Sequence, residues 1–156
     1  MEQDDLESYL HEQIPLSAAM GVSVHSVTEE SVTLAAPLAP NINHKSTVFG
    51  GSASALSILA AWSTLHVRLL RAGLPSEIVI QSNTMDYERP MRGEFVATGV
   101  IGAAADWPGF LKMLERRKRA RIEIEARLTC EGEAVGAFRG RFVAFLREER
   151  DGAQRY

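Results

Sequence analysis

The segment Asn41-Ile42-Asn43-His44-Lys45-Ser46-Thr47-Val48-Phe49-Gly50-Gly51-Ser52 holds amides, an imidazole, hydroxyls and paired glycines just ahead of a long apolar run. It reads as a polar loop that delivers the chain into the N-terminus of a buried helix. The first N–H groups of a helix have no intrahelical acceptors and carry partial positive charge. Gly50 and Gly51 place no Cβ between that backbone and a ligand. A carbonyl oxygen gaining negative charge is the partner such donors suit. The same glycine pair would also serve a loop making a tight helix entry, and physics alone does not separate the two readings.

Other reactive side chains form weaker patterns. Gly50-Gly51-Ser52-Ala53-Ser54 approaches the Gly-x-Ser-x-Gly nucleophile elbow. Ser54 replaces the final glycine, however, and no histidine follows His66, so the order Ser, acid, His fails. His11, His25, His44 and His66 show no metal-ligand spacing, and no metal site is expected. Cys130 is the only cysteine and falls on the apolar parity of a strand, which excludes an intrachain disulfide and suits a reducing cytoplasm. Arg116-Arg117-Lys118-Arg119-Ala120-Arg121 is a basic cluster in a chain of net charge −3. It reads either as a solvated strand entrance or as a dock for an acidic partner or phosphates. The negative balance excludes an ordinary nucleic-acid binder, and no phosphate-cradling glycine motif points to a nucleotide cofactor.

The elements that must position these residues follow from periodicity. A short helix is expected from Asp4 to about His11, then an apolar segment from Ile14 to Gly21. Val22 to Val27 and Val32 to Ala36 alternate as strands, closed by Pro37 and Pro40. The long helix starts near Gly50. Ala55, Ile58, Leu59, Trp62, Leu65 and Leu69 line one face, and Ala53, Leu56 and Ala60 a second, so other structure must wrap it. Thr47 to Val67 carries no charge and is long enough to span a bilayer, but Gly50-Gly51, five Ser/Thr residues and His66 favour a buried central helix over a membrane span. Arg68 and Arg71 suit its C-terminal end, and Gly73 caps it.

Beyond Glu77 the period changes to two. One strand runs to Tyr87, and Phe95, Ala97, Gly99 and Ile101 line the next. A short helix covers Trp107 to Leu114, Arg121 to Cys130 alternates cleanly, and the last strand runs from about Ala134 to Leu146. Residues 1–149 thus form one α+β domain, and Arg150 to Tyr156 a polar, disordered tail. Without regular strand–helix alternation, an antiparallel sheet wrapped around one central helix is the natural solution. Its edge strands would be covered economically by pairing two copies.

Asn-x-Asn-His-Lys-x-Thr-Val-Phe-Gly-Gly-Ser resembles the signature of the putative-thioesterase hotdog family. That domain also occurs behind an acetyltransferase domain, and its stand-alone members include malonyl-acyl carrier protein decarboxylases. Supporting similarities are Ile14-Pro15-Leu16, Ala36-Pro37-Leu38-Ala39-Pro40-Asn41, Tyr87-Glu88-Arg89-Pro90 and Arg119-Ala120-Arg121. Ser46 departs from the glycine expected there.

The resemblance implies a double-hotdog homodimer, with higher oligomers open, and sites at the subunit interface. The thioester carbonyl would meet the N–H groups of Gly50 and Gly51, with Asn43 beside the reacting acyl group. His44, Thr47, Phe49, Ser52 and Tyr87 would contact substrate. A phosphopantetheine arm, borne by acyl carrier protein or coenzyme A, would enter along the interface; the protein needs no cofactor of its own. Arg116, Arg117, Lys118 and Arg119 would dock the carrier. More remote hotdog thioesterases carry a carboxylate inside the central helix, whereas the equivalent turn here is Ser57-Ile58-Leu59. Hydrolysis needs an activated water. Decarboxylation of a malonyl thioester needs an oriented carboxylate and a stabilised enolate. That favours malonyl-acyl carrier protein decarboxylation, with acyl-thioester hydrolysis, aided by Asp86 or Glu88, or non-catalytic binding as alternatives.

Overall fold

The computed structural model describes residues 1–148. The polar tail expected from 150, and the domain boundary at 149, lie outside the described residues. The uncharged run forms α3, Gly50–Arg71, and it is the axis of the molecule. A six-stranded antiparallel sheet packs on it in the order β1-β2-β4-β5-β6-β3, formed by Ser23–Val27, Ser31–Ala36, Phe95–Val100, Arg119–Cys130, Glu133–Leu146 and Ser76–Tyr87, respectively. Ahead of it lie α1 (Gln3–Gln13) and α2 (Pro15–Ala19), and α4 (Trp107–Arg117) is inserted between β4 and β5. The two expected N-terminal strands, the central helix and the four later strands are all present.

Two apolar clusters share α3. Leu56, Ala60 and Val67 pack with Val24, Leu34, Phe95 and Leu128, while Leu65 and Leu69 pack with Phe110, Leu114, Ile122 and Phe142. Small residues let the helix sit close to the sheet. A Cβ on Gly99 would come within 2.4 Å of the Ala60 carbonyl oxygen. Thr64 Oγ1 donates to that same carbonyl (2.8 Å) and accepts from Val32 N (3.2 Å). Thus the Ser/Thr content that argued against a membrane span is used for close approach.

Not every face of α3 is covered. Ala53, Leu56, Leu59 and Ala60 are buried, but Ala55, Ile58 and Trp62, expected on the principal buried face, are only half-buried. The reason is position: that stripe faces the open side next to the edge strand β3. The inner parity of β3 completes it with Ile80, Met85 and Tyr87, read from pairings with Phe142, Phe138 and Gly136 on either side of the bulge at Ile80/Ser82.

The two edges of the sheet are treated differently. Along β1, one face of α1 satisfies free backbone groups: Gln3 Nε2 donates to Val24 O (2.6 Å), Glu7 Oε2 accepts from Val24 N (2.9 Å), and His11 Nε2 bonds Val22 O (2.7 Å). These residues recur every four positions, the spacing that stacks side chains on one helical face. Along the 12-residue β3, the side-chain contact to backbone is Trp62 Nε1 donating to Ile78 O (3.1 Å), at the strand's inner start. From Val79 to Tyr87 the strand is largely exposed. A long bare edge of this kind is a template for pairing.

His66 lies on α3 stacked on Trp62 (ring centroids 4.7 Å apart) and Tyr9 (5.1 Å). It is buried, and its Nε2 has no partner among the described residues. Burial first, then the charges of Arg147 and the N-terminal amine, lower its pKa to about 4. The folded protein therefore keeps His66 neutral, whereas the unfolded chain protonates it near the ordinary value of 6.5. Stability from this site is complete above pH 6.5 and is lost as pH falls toward 4, by about 3 kcal/mol at most. Chemical denaturation at pH 7.5 and 4.5 should show a smaller acid loss in His66→Leu than in the wild type; equal losses would refute the assignment.

Candidate active site

The loop from Asn41 to Phe49 is built around two asparagines. Asn41 is buried, and its Nδ2 donates to the carbonyls of Met20 and Pro37 (2.8 Å each), anchoring the loop to α2 and the end of β2. Asn43 organises the loop tip. Its Oδ1 accepts from Lys45 N (2.9 Å) and Thr47 N (3.1 Å), and its Nδ2 donates to Thr47 Oγ1 (2.9 Å) and Val48 O (3.4 Å). Both ends of the amide are thus engaged within the loop, so Asn43 is placed to shape the site's wall. Ser46 adopts φ +61°, the left-handed region, which accounts for glycine being the residue expected there. His44 and Lys45 are exposed at the tip.

The loop closes on the helix start. Phe49 N donates to Asn41 O (2.7 Å), and Val48 N to Met91 O (2.9 Å). Ser52 N and Ala53 N both turn back to Phe49 O, at 2.9 and 3.1 Å. That leaves Gly50 N and Gly51 N as first-turn donors without a partner among the described residues, and no side chain caps the helix. No acidic residue stands in the first turn to neutralise the dipole.

Two aromatic rings frame these donors. Tyr87 Oη donates to Gly50 O (3.1 Å), and a Cβ on Gly50 would meet its ring at 3.4 Å. The Phe49 ring sits over Gly51 so closely that a Cβ there would lie 2.3 Å from it. Both rings remain more than half exposed, at 57% for Phe49 and 56% for Tyr87. Ile42, 49% exposed and bridged to Val48, extends the apolar surround. The structure therefore gathers Asn43, Thr47, Phe49, Gly50, Gly51, Ser52 and Tyr87 at one end of α3.

Among the described residues no serine-hydrolase arrangement is formed here. Ser52 sits in the first turn, and His66 lies 14 residues up the same helix, about 21 Å away. Asp86 alternates with Met85 and Tyr87, so it occupies the opposite sheet face from the Gly50 end of α3. Glu88 follows the end of β3 and is exposed. Among the described residues, α3 itself holds no carboxylate.

The basic cluster is not part of this gathering. Arg116 and Arg117 end α4, which is three residues longer than the sequence suggests. Lys118 caps it at φ +61°, and Arg119 opens β5. Lys118 O accepts from Leu146 N (3.0 Å), Arg119 pairs with Phe145, and Leu146 pairs with Ser76. Those contacts put the cluster at the C-terminal end of α3, about 33 Å from Gly50 along the 22-residue helix. A groove of about 670 Å³ lies beside it, lined by Phe110, Met113, Arg119 and Arg121 among others. What the sequence reading missed at the main site is Met91, buried and acting through its backbone carbonyl, which leaves no pattern to read. Asn41 stands in the motif, but the anchoring role of its side-chain amide depends on contacts with Met20 and Pro37 that only the fold sets.

The family described as Putative thioesterase (yiiD C-terminal) matches residues 3–146. A Chlorobaculum tepidum protein of unknown function superposes with a TM-score of 0.85 at 25% identity, covering 93% of this chain and 94% of that one. A Shewanella oneidensis protein described as a putative thioesterase gives 0.83 at 26%, covering 92% and 96%. A mutant thioesterase from Pseudomonas aeruginosa shares the fold at 13% identity, with a TM-score of 0.74 over 94% of this chain and 96% of its own. No curated protein matches the chain. With its antiparallel sheet packed on one long helix in the hotdog arrangement, the chain belongs to the putative thioesterase family.

Proposed function

We propose that the protein is a cytoplasmic homodimer acting on acyl thioesters, and that its reaction is decarboxylation of a malonyl thioester borne on acyl carrier protein. The observation that carries this reading is a helix start with two unpartnered amides, Gly50 N and Gly51 N, and no carboxylate on that helix. The thioester carbonyl would take both N–H groups. The bond from the α-carbon to the malonyl carboxylate then breaks, CO2 leaves, and its electron pair passes to an enolate whose oxygen the two amides stabilise. Protonation of the α-carbon from solvent gives the acetyl thioester. Phe49 and Tyr87 flank the reacting group, and Asn43 and Thr47 hold the wall beside it. The bare β3 edge and the half-buried stripe of Ala55, Ile58 and Trp62, which a second copy would cover, support the dimer.

Hydrolysis is the second reading, favoured by the thioesterase descriptions of the family and of the Shewanella and Pseudomonas structures. It requires a water-activating base, which would have to come from Glu88 or from the second subunit. One assay separates the two. Purified protein is incubated with malonyl and with long-chain acyl carrier protein, and both are followed by mass. Conversion of malonyl to acetyl carrier protein is expected; release of free carrier thiol establishes hydrolysis, and no change in either overturns the enzymatic reading. Sedimentation should give a dimer, and a monomer at working concentration would refute the shared-edge assembly.

A further inference from the structure

We propose that an acidic carrier protein docks on the basic cluster of one subunit while the acyl group it delivers reacts at Gly50 and Gly51 of the other. The inference rests on the thioester reading above and on pairing through β3. It begins from charge. Residues 116–121 hold five cations in a chain of net charge −3, all are exposed, and none forms a salt bridge among the described residues. The nearby acid Glu123 is turned to Arg139 (3.4 Å). Arg116 and Arg117 lie on the last turn of α4, Lys118 at the junction, and Arg119 and Arg121 on the outer parity of β5, so the charge wraps the end of the sheet. Beside it, Phe110 and Met113 (47% exposed) line the groove of about 670 Å³. The groove itself mixes Arg119 and Arg121 with Asp106, Glu123 and Glu125. It is the run of five cations at 116–121, spread over six residues, that fits the surface of an acidic protein better than a single phosphate group.

Geometry then decides which site the cluster serves. Arg119 pairs with Phe145, and Phe145 with Glu77, so the cluster is level with the start of β3, whereas Gly50 is level with Tyr87 at its end. Within one subunit the separation is roughly 30 Å along the strands, plus two strand spacings across them. A two-fold axis through an antiparallel β3–β3 pair reverses one copy against the other. With the two β3 strands paired over their full length, the start of the partner's β3 would lie beside Tyr87, and the partner's β5 would be three strand spacings away, about 14 Å in the plane of the sheet. The cluster that can serve the Gly50 site is therefore the one on the other subunit.

Mixed dimers test this. One chain carries Arg117→Glu and Arg119→Glu, the other Gly50→Pro, with different tags so that the mixed species is purified through both. On malonyl carrier protein each variant homodimer is expected to fall at least tenfold. If docking is in trans, the mixed dimer holds one complete site and recovers about half the wild-type turnover; if it stays at the level of its parents, docking is in cis and the proposal fails. A malonyl pantetheine thioester, which carries no protein, reports the reaction site separately. Turnover of this substrate without recovery on carrier protein overturns only the docking inference, and no wild-type turnover of either overturns both. An equal loss on coenzyme A and carrier-protein thioesters in the charge-reversed homodimer would assign the cluster to phosphates and overturn the carrier assignment. Arg117→Gln with Arg119→Gln repeats the comparison should the reversals impair folding.

Discussion

Gly50→Pro is expected to lower kcat by about 10²–10³-fold, roughly 2.7–4 kcal/mol, the usual loss for one oxyanion donor, while leaving the fold in place. Proline at the first helical position deletes only an N–H that has no intrahelical acceptor. The preceding Phe49 already has φ −60° and ψ 132°, the extended range a following proline imposes. Space is adequate at the Cβ, which would meet the Tyr87 ring at 3.4 Å. Gly50→Ala places the same Cβ but keeps the donor, so it should lose far less. If both variants turn over alike, Gly50 N is not the oxyanion donor. The comparison uses kcat on the malonyl thioester, with circular dichroism and sedimentation confirming helix content and dimer. Gly51 offers no such clean variant, because its Cβ would displace the Phe49 ring.

The second large effect is expected at Asn43, for a reason the structure supplies. Asn43→Ala removes the acceptor that holds Lys45 N and Thr47 N and the donor that holds Thr47 Oγ1 and Val48 O. Activity should fall by about 10²-fold through misplacement of the wall, with a stability loss of roughly 1–3 kcal/mol from the unpaired polar groups. Asn43→Asp keeps the acceptor but loses the donor, and it adds negative charge near the forming oxyanion. It should retain most loop protection yet remain impaired in kcat. Hydrogen exchange across residues 43–49 distinguishes the cases. Full protection in Asn43→Ala together with lost activity would mean that Asn43 acts on substrate directly, and unchanged turnover would remove it from the site altogether.

The chain's periodicities announce most of its architecture. Ile122, Ile124, Ala126, Leu128 and Cys130 alternate cleanly because β5 has one face on the core and one toward solvent. The Gly50-Gly51 helix entry is legible for a local reason too: unpaired amides at a helix start follow from the backbone itself. Tyr87 was identified through family resemblance, and its contact with Gly50 crosses 37 residues, which only the β3–β6 register sets.

Where local pattern fell short, the cause was distance through the fold. Helical periodicity puts Ala55, Ile58 and Trp62 on an apolar face, but it cannot say that the sheet ends beside them and leaves them half open. The types of Gln3, Glu7 and His11 do not reveal that they cover the β1 edge, nor does the exposure of β3 follow from its own composition. The cationic run at 116–121 is plain in the sequence, yet its placement at the opposite end of α3 from Gly50 depends on the order of the strands. Sequence alone determined the elements, the loop that ends in the paired glycines and the family, because these rest on neighbours within a few positions. Tertiary structure decided which edge is bare, which way Asp86 points and which end carries the cations, because each depends on strand register and sheet order between residues far apart in the chain.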